Sequence, residues 1–294
     1  MEIFGVPTQA LFGQLLIGLI IGSFYALLSL GLAVIFGLLN IINFTHGAQY
    51  MMGAFVSYLL LNKLGIGYWW SLLVVPLLVG ATGMLIERTM LSRLYKLDHL
   101  YGLLLTFGLA LIIQGLFRNE FGSSGQPYRI PSELAGGQNL GFMFLPNYRA
   151  WVIVASFFIC LATWFVIERT KLGAYLRAAT ENPQLVQAFG INVPRMITLT
   201  YGFGVGLAAL AGVMAAPIYQ VSPQMGADLI IVVFAVVVIG GMGSILGAIL
   251  TGFGLGVMEG LTKVFYPEAS NTVIFIIMAI VLLLKPAGLF GTQK

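Results

Sequence analysis

Long apolar stretches broken by short polar interruptions set the pattern of this chain. The stretches are Gln9 to Leu30, Gly31 to Asn40, Gly47 to Leu61, Trp69 to Ile86, Tyr101 to Phe117 and Ala150 to Ile167, then, beyond a polar loop, Ile197 to Tyr219, Leu229 to Ile239, Ser244 to Leu261 and Thr272 to Leu284. Crossing a hydrocarbon layer of roughly 30 Å takes about 20 helical residues. Gly31 to Asn40 and Leu229 to Ile239 are too short for that. The pattern therefore predicts about eight full spans plus two short broken or re-entrant segments. Backbone groups have no water to bind in lipid, so only helices or closed barrels can cross it. Continuous apolar runs without period-2 alternation choose helices. The expected fold is an all-α polytopic membrane protein, with one transmembrane domain over residues 1–294.

Composition removes the soluble alternative. Of 294 residues, 59% are hydrophobic and 8% charged, against roughly a quarter charged in soluble domains. Residues Met1 to Ala10 lack a basic stretch, and the apolar segment behind them outruns a signal peptide, so this end reads as retained. One cysteine, Cys160, excludes an intrachain disulfide and reads as packing. The net charge of +4 belongs to short loops, where topology explains it better than nucleic acid. One group of basic residues is Arg88, Arg93, Lys96, Arg169, Lys171, Arg177, Arg195, Lys285 and Lys294. The smaller group is Lys63, Arg118, Arg129, Arg149 and Lys263. The excess places the first group and the C-terminus in the cytoplasm, and the Gly-, Ser-, Pro- and Asn-rich loop 118–149 outside. Trp69, Trp70 and Trp151 fall at the expected interfaces. The N-terminus carries no basic residue that would assign its side.

Catalytic signatures are missing: there is no HExxH, GxSxG or GxxxxGK[ST], and the two histidines are His46 and His99. The chain has no means of hydrolysing ATP. Gly202, Gly204 and Gly206, and again Gly252, Gly254 and Gly256, mimic a dinucleotide fingerprint, but they sit inside apolar helices and read as close helix packing. Ion coupling ordinarily needs an ionisable group at membrane depth. Glu87, Asp98, Glu168 and Glu181 fall at or beyond helix ends on the basic side, and Asp228 precedes a short apolar run near the outer side. Glu259 is inside a span, with Lys263 four residues on as its expected partner. The driving force is thus expected from another subunit.

The loop Arg169 to Arg195 offers the surface for it. Asn182 reads as an N-cap with Pro183 at the first helical position, so Pro183 to Phe189 should form a short helix stopped by Gly190, showing Leu185, Ala188 and Phe189 to a docking partner. An ordinary connecting loop is the competing reading.

In this loop Arg177, Glu181, Asn182, Ala188, Gly190 and Ile191 fall in a segment that resembles the coupling segment of ABC importer permeases, where a short helix enters a groove on the ATPase. More specifically, GLIIGSFYALLSLGLAVIFGLLNIINFTHGAQYMMGAF, Gly18 to Phe55, and GVMAAPIYQVSPQMGADLIIVVFAVVVIGGMGSILGAIL, Gly212 to Leu250, resemble the branched-chain amino-acid ABC transporter permease family, especially its LivH-like members. Permeases for urea and short amides share the pattern. The resemblance implies a bacterial inner-membrane importer, made with a second related permease subunit, two cytoplasmic ATPase subunits that bind ATP and Mg, and a periplasmic substrate-binding protein. No cofactor is implied in this chain. Polar residues between apolar segments are the candidates for the translocation pathway. They are Asn40, Asn43, Thr45, His46 and Gln49 at one break and Gln224, beside Ser222, Pro223 and Gly226, at the other. Two readings stay open for Asn43 and His46, a pathway role and simple helix capping. A metal role for His46 has no second ligand at suitable spacing. An ion-coupled transporter, a channel and a non-transporting scaffold remain the rival functional classes.

Overall fold

The computed structural model describes residues 2–3, 6–39 and 43–291, without the side chains of 2, 3, 38 and 39. Asn40 and Lys294 lie outside the described residues. A two-residue hairpin, β1 (Glu2–Ile3) with β2 (Val6–Pro7), leads into α1 (Thr8–Leu39), α2 (Thr45–Leu64), α3 (Tyr68–Thr89) and α4 (His99–Phe121). A second hairpin, β3 (Gly137–Asn139) and β4 (Phe144–Pro146), precedes α5 (Asn147–Arg169). Then come α6 (Lys171–Glu181), α7 (Pro183–Ala188), α8 (Val193–Ala215), α9 (Met225–Gly240), α10 (Ile245–Phe265) and α11 (Val273–Leu284).

The fold is all-α and polytopic, as the apolar pattern predicts. Among the described residues six helices are long and apolar enough to cross a membrane: α1, α3, α4, α5, α8 and α10. α9 and α11 are shorter apolar helices, and α2 adds 20 residues. The segment Gly31 to Asn40 is not a separate piece as far as it is described. It continues Gln9 to Leu30 within the 32-residue α1, because nothing between Leu30 and Gly31 interrupts the backbone hydrogen bonding and Gly31 is needed for packing, not for a turn.

The chain groups into two compact units, Met1–Ser29 with Arg129–Cys160 and Val232–Lys294, and Leu30–Tyr128 with Leu161–Ile231. In the first, the early part of α1 lies along α10 on glycines. A methyl added at Gly18 would stand 2.5 Å from the Gly256 carbonyl oxygen, and one at Gly256 2.3 Å from the Gly22 Cα. Small residues let backbones approach where lipid supplies no hydrophobic drive. Gly252 and Gly256 thus pack as expected, whereas nothing stands within 4 Å of a methyl at Gly254. Glu259, 5% exposed, is held by Lys263 Nζ at 2.6 Å and by the Tyr25 hydroxyl at 2.8 Å, the local pairing its spacing foretells. Phe12 meets Phe142 at 5.8 Å between ring centroids. The start of α1 and the α4–α5 connection therefore share one end of this unit, a side the sequence alone left unassigned.

In the second unit α8 is the central helix, with α2 and α3 packed on it. Gly212 lies on the Tyr50 carbonyl, Gly53 on Ala209, and Gly202 and Gly206 on α3 at Gly80 and Pro76. Gly204 turns to Gly31 and Ile35 of α1. The glycine group that imitates a nucleotide motif is a two-sided packing device, set between α3 and α1.

Candidate functional site

The break after α1 ends in a closed polar network. Asn43 Oδ1 accepts from the Thr45 backbone N–H at 3.1 Å and from the Thr45 hydroxyl, and Asn43 Nδ2 donates to Gln49 Oε1 at 3.4 Å. Gln49 Nε2 returns to Thr45 Oγ1 at 3.3 Å. Asn43, Thr45, His46 and Gln49 are all fully buried. A polar group buried without a partner costs about 1–3 kcal/mol, so the ring of bonds is what lets these side chains sit there. Asn43, one residue ahead of the N-cap Phe44, thereby holds the first N–H of α2 inside the protein. The ring of His46 packs against Gly31, where an added methyl would stand 3.0 Å from Cε1. The Phe44 N–H, at the same break, donates to Thr106 of α4 at 3.2 Å.

Sequence reasoning missed Tyr201. Its hydroxyl faces Thr45, Gln49 and Asn43 without closing a hydrogen bond. An aromatic in an apolar helix gives no signal of this. Thr106 was hidden in the same way.

Gln224 is not part of that network. It is exposed, and its Oε1 accepts from Gln114 Nε2 at 2.6 Å and from Arg118 Nη2 at 3.0 Å, both on α4. What the structure brings together from the two breaks is backbone: a methyl on Gly226 would stand 2.0 Å from the Gly47 carbonyl oxygen. Between the breaks lies a cavity of about 70 Å³ whose lining runs from Phe44 and Phe107 to Gln114 and Pro223. Ligand sites occupy roughly 300–1,000 Å³. This conformation is closed there.

The loop 169–195 holds more structure than the sequence shows. α6 precedes the expected short helix, and Arg177 on it donates from Nη1 both to the Ile167 carbonyl and to Glu168, each at 3.2 Å. Arg177 therefore ties α6 to the end of α5. Gly173 makes this possible, since any side chain there would collide with the Ile167 carbonyl. α7 forms where Asn182 and Pro183 place it. Asn182 Oδ1 accepts from the Leu185 N–H at 3.0 Å, and Gly190 takes a φ of +82°, which favours glycine. Val186 faces inward, while Phe189 is 79% and Leu185 54% exposed. Glu181, Pro183 and Ala188 are exposed beside them, and Ile191 is half-buried. Asn192 caps α8 through the Arg195 N–H at 3.0 Å, so four residues, Phe189 to Asn192, separate α7 from α8.

One carboxylate at a helix end is buried. Glu87, near the end of α3, is 2% exposed. Its Oε1 accepts from the Tyr95 hydroxyl at 2.5 Å and its Oε2 from the Thr198 hydroxyl at 2.6 Å. It joins the α3–α4 connection to the first turns of α8. Burial, reinforced by the hydrogen bond and charge of Glu87, raises the Tyr95 hydroxyl well above its ordinary pKa.

Comparison by sequence gives the family. The family model described as the branched-chain amino acid transport system / permease component matches residues 14–282. The chain belongs to this family. Its relatives include the high-affinity branched-chain amino acid transport system permease protein LivH of Escherichia coli K12, 32% identical, with 96% of each chain covered. BraD of Pseudomonas aeruginosa, a permease protein of the same description, is 30% identical over 96% of each. The LivM permease protein of Escherichia coli K12 is 28% identical over 92% of this chain and 68% of its own. A multi-pass membrane permease thus carries the buried network at α2, the exposed tip at α7 and the Glu87 clasp near the root of α8.

Proposed function

We propose that this permease is the membrane-spanning subunit of an ATP-driven importer for branched-chain amino acids in the bacterial inner membrane. The observation that carries the reading is α7. A helix of six residues, capped at one end and stopped at the other, holds Leu185 and Phe189 out of the protein, where two large apolar side chains are costly unless a partner covers them. The partner is an ATPase subunit. Two of these bind ATP and Mg in the cytoplasm, on the side of the loop 169–195 and the C-terminus, and the loop 118–149 faces the periplasm and its substrate-binding protein. The second permease subunit is a related chain, a reading supported by the two permease proteins, LivH and LivM, named for one system in one organism. Arg177, Glu181, Asn182, Pro183, Ala188, Gly190 and Ile191 build and aim the coupling segment. Asn40, Asn43, Thr45, His46, Gln49 and Gln224 flank the pathway, which the closed cavity at Gly47 and Gly226 blocks in this state. Among the described residues the buried carboxylates, Glu87 and Glu259, are both engaged by hydrogen-bond or ion-pair partners, which favours ATP over an ion gradient.

The test is leucine uptake into proteoliposomes holding the full complex with its binding protein. Replacing Leu185 and Phe189 by serine should reduce uptake to background and release the ATPase, while the permease remains folded. Uptake by this chain alone under a proton or sodium gradient would overturn the proposal.

A further inference from the structure

We propose that the groove beside the first turns of α8 binds an anionic phospholipid, its head group on Arg195 and an acyl chain along Leu199 and Phe203. The groove measures about 400 Å³ and is bounded by Ile167 at the end of α5, Leu172 of α6 and this face of α8. Arg195, Leu199 and Phe203 recur at every fourth position, so they form one stripe about 12 Å long at 1.5 Å per residue. One end of the stripe is a cation and the rest is apolar, the polarity of an amphiphile.

Two further observations choose the occupant. Among the described residues the ion pairs are Arg177 with Glu168 and Lys263 with Glu259, so no carboxylate claims the Arg195 guanidinium. Leu199 and Leu172 are 54% and 45% exposed and want apolar cover. A partner helix would supply the cover and leave the charge. A phospholipid supplies both. The level also fits: α6 buries Gly173 and Leu176 on one side and exposes Lys171 and Arg177 on the other, the habit of a helix lying in the interface plane. Basic pockets between helices at that depth hold anionic head groups.

The full-length chain in phosphatidylcholine nanodiscs, given a trace of phosphatidylglycerol with a photoreactive acyl chain, tests this by mapping the labelled peptides. Label should collect on residues 195–203 and fall about five-fold in Arg195→Ala, the size of one basic residue at an anionic head group, while Arg195→Lys keeps most of it. Leu199→Trp, which fills the groove and leaves the cation, should also lower it. Soluble glycerol 3-phosphate should not compete, since the chain supplies the rest of the binding. Equal labelling by a phosphatidylcholine probe, or labelling indifferent to Arg195→Ala, overturns the site. So does loss of label in the assembled importer with a partner peptide cross-linked in its place.

Discussion

Two asparagines do the same local work in opposite settings. Asn43 and Asn182 each offer a side-chain oxygen to a backbone N–H at the start of a helix, at 3.1 Å and 3.0 Å. Asn43 is fully buried, and its amide is further tied to Gln49. Asn182 is exposed and holds a helix that presents two apolar side chains outward. The buried asparagine is one member of a network, so its removal strands others. The exposed cap stabilises a single turn, and water replaces it. A polar interruption between apolar runs is therefore not one kind of feature, and its surroundings decide whether it locks the interior or displays a surface.

The contrast can be broken most directly at Asn43. Asn43→Ala strips Gln49 Oε1 and the N–H and hydroxyl of Thr45 of their bonds to Asn43, leaving only the Gln49–Thr45 bond, and detergent-based unfolding should show a loss of about 2–3 kcal/mol. If stability is unchanged, the network is not what holds the break. Gly190→Ala comes next. A Cβ in the left-handed region costs about 1–2 kcal/mol, read as fraying of α7 by hydrogen exchange and weaker ATPase binding, with unfolding of the core unaltered. Asn182→Ala should be milder still, about 1 kcal/mol confined to α7. That corresponds to about five-fold faster exchange at Leu185 to Ala188. A global effect equal to that of Asn43→Ala would erase the distinction between the two asparagines.

The smallest effect is one of pH at the Glu87 clasp. Tyr95 is raised chiefly by burial and then by Glu87. Tyr128 in the α4–α5 connection is also raised by burial, against the lowering influence of its bonds to Ser57 and Ser71. A raised folded pKa stabilises the protonated phenol, so this stability is fully present below the unfolded value of about 10 and declines as pH climbs above it. Tyr95→Phe should flatten part of the alkaline slope in a stability titration, on top of a pH-independent loss of about 1 kcal/mol from the missing hydrogen bond to Glu87.

What was readable from the residues follows the strength of their punctuation. Asn182, Pro183 and Gly190 mark α7 almost to the residue, because capping and φ preferences are local properties. The gap between α1 and α2 was foreseen from its polar residues. The unity of α1 was not, since a helix apolar on all sides has no period to show where it continues. Glu87 was read only as lying at a helix end, where its position in the chain puts it, and the cover that Tyr95, eight residues on, and Thr198, more than a hundred residues on, give it was not visible. The partners of Gln224 were not foreseen for the same reason, Gln114 and Arg118 lying more than a hundred residues away. α6 was taken for loop because Gly173 and the polar residues around it hide a helix whose anchoring is tertiary, through Arg177.

The seam between α3 and α8 has a mechanical consequence. Where Gly80 meets Gly202, and Pro76 meets Gly206, main chain lies close to main chain, and on either side a knob is seated, Val205 over Gly83 and Met84 over Gly202. Interlocked packing of this kind resists translation because each step must lift one residue over the next. A push delivered at the root of α8 would therefore carry α3 along with it, like two meshed racks.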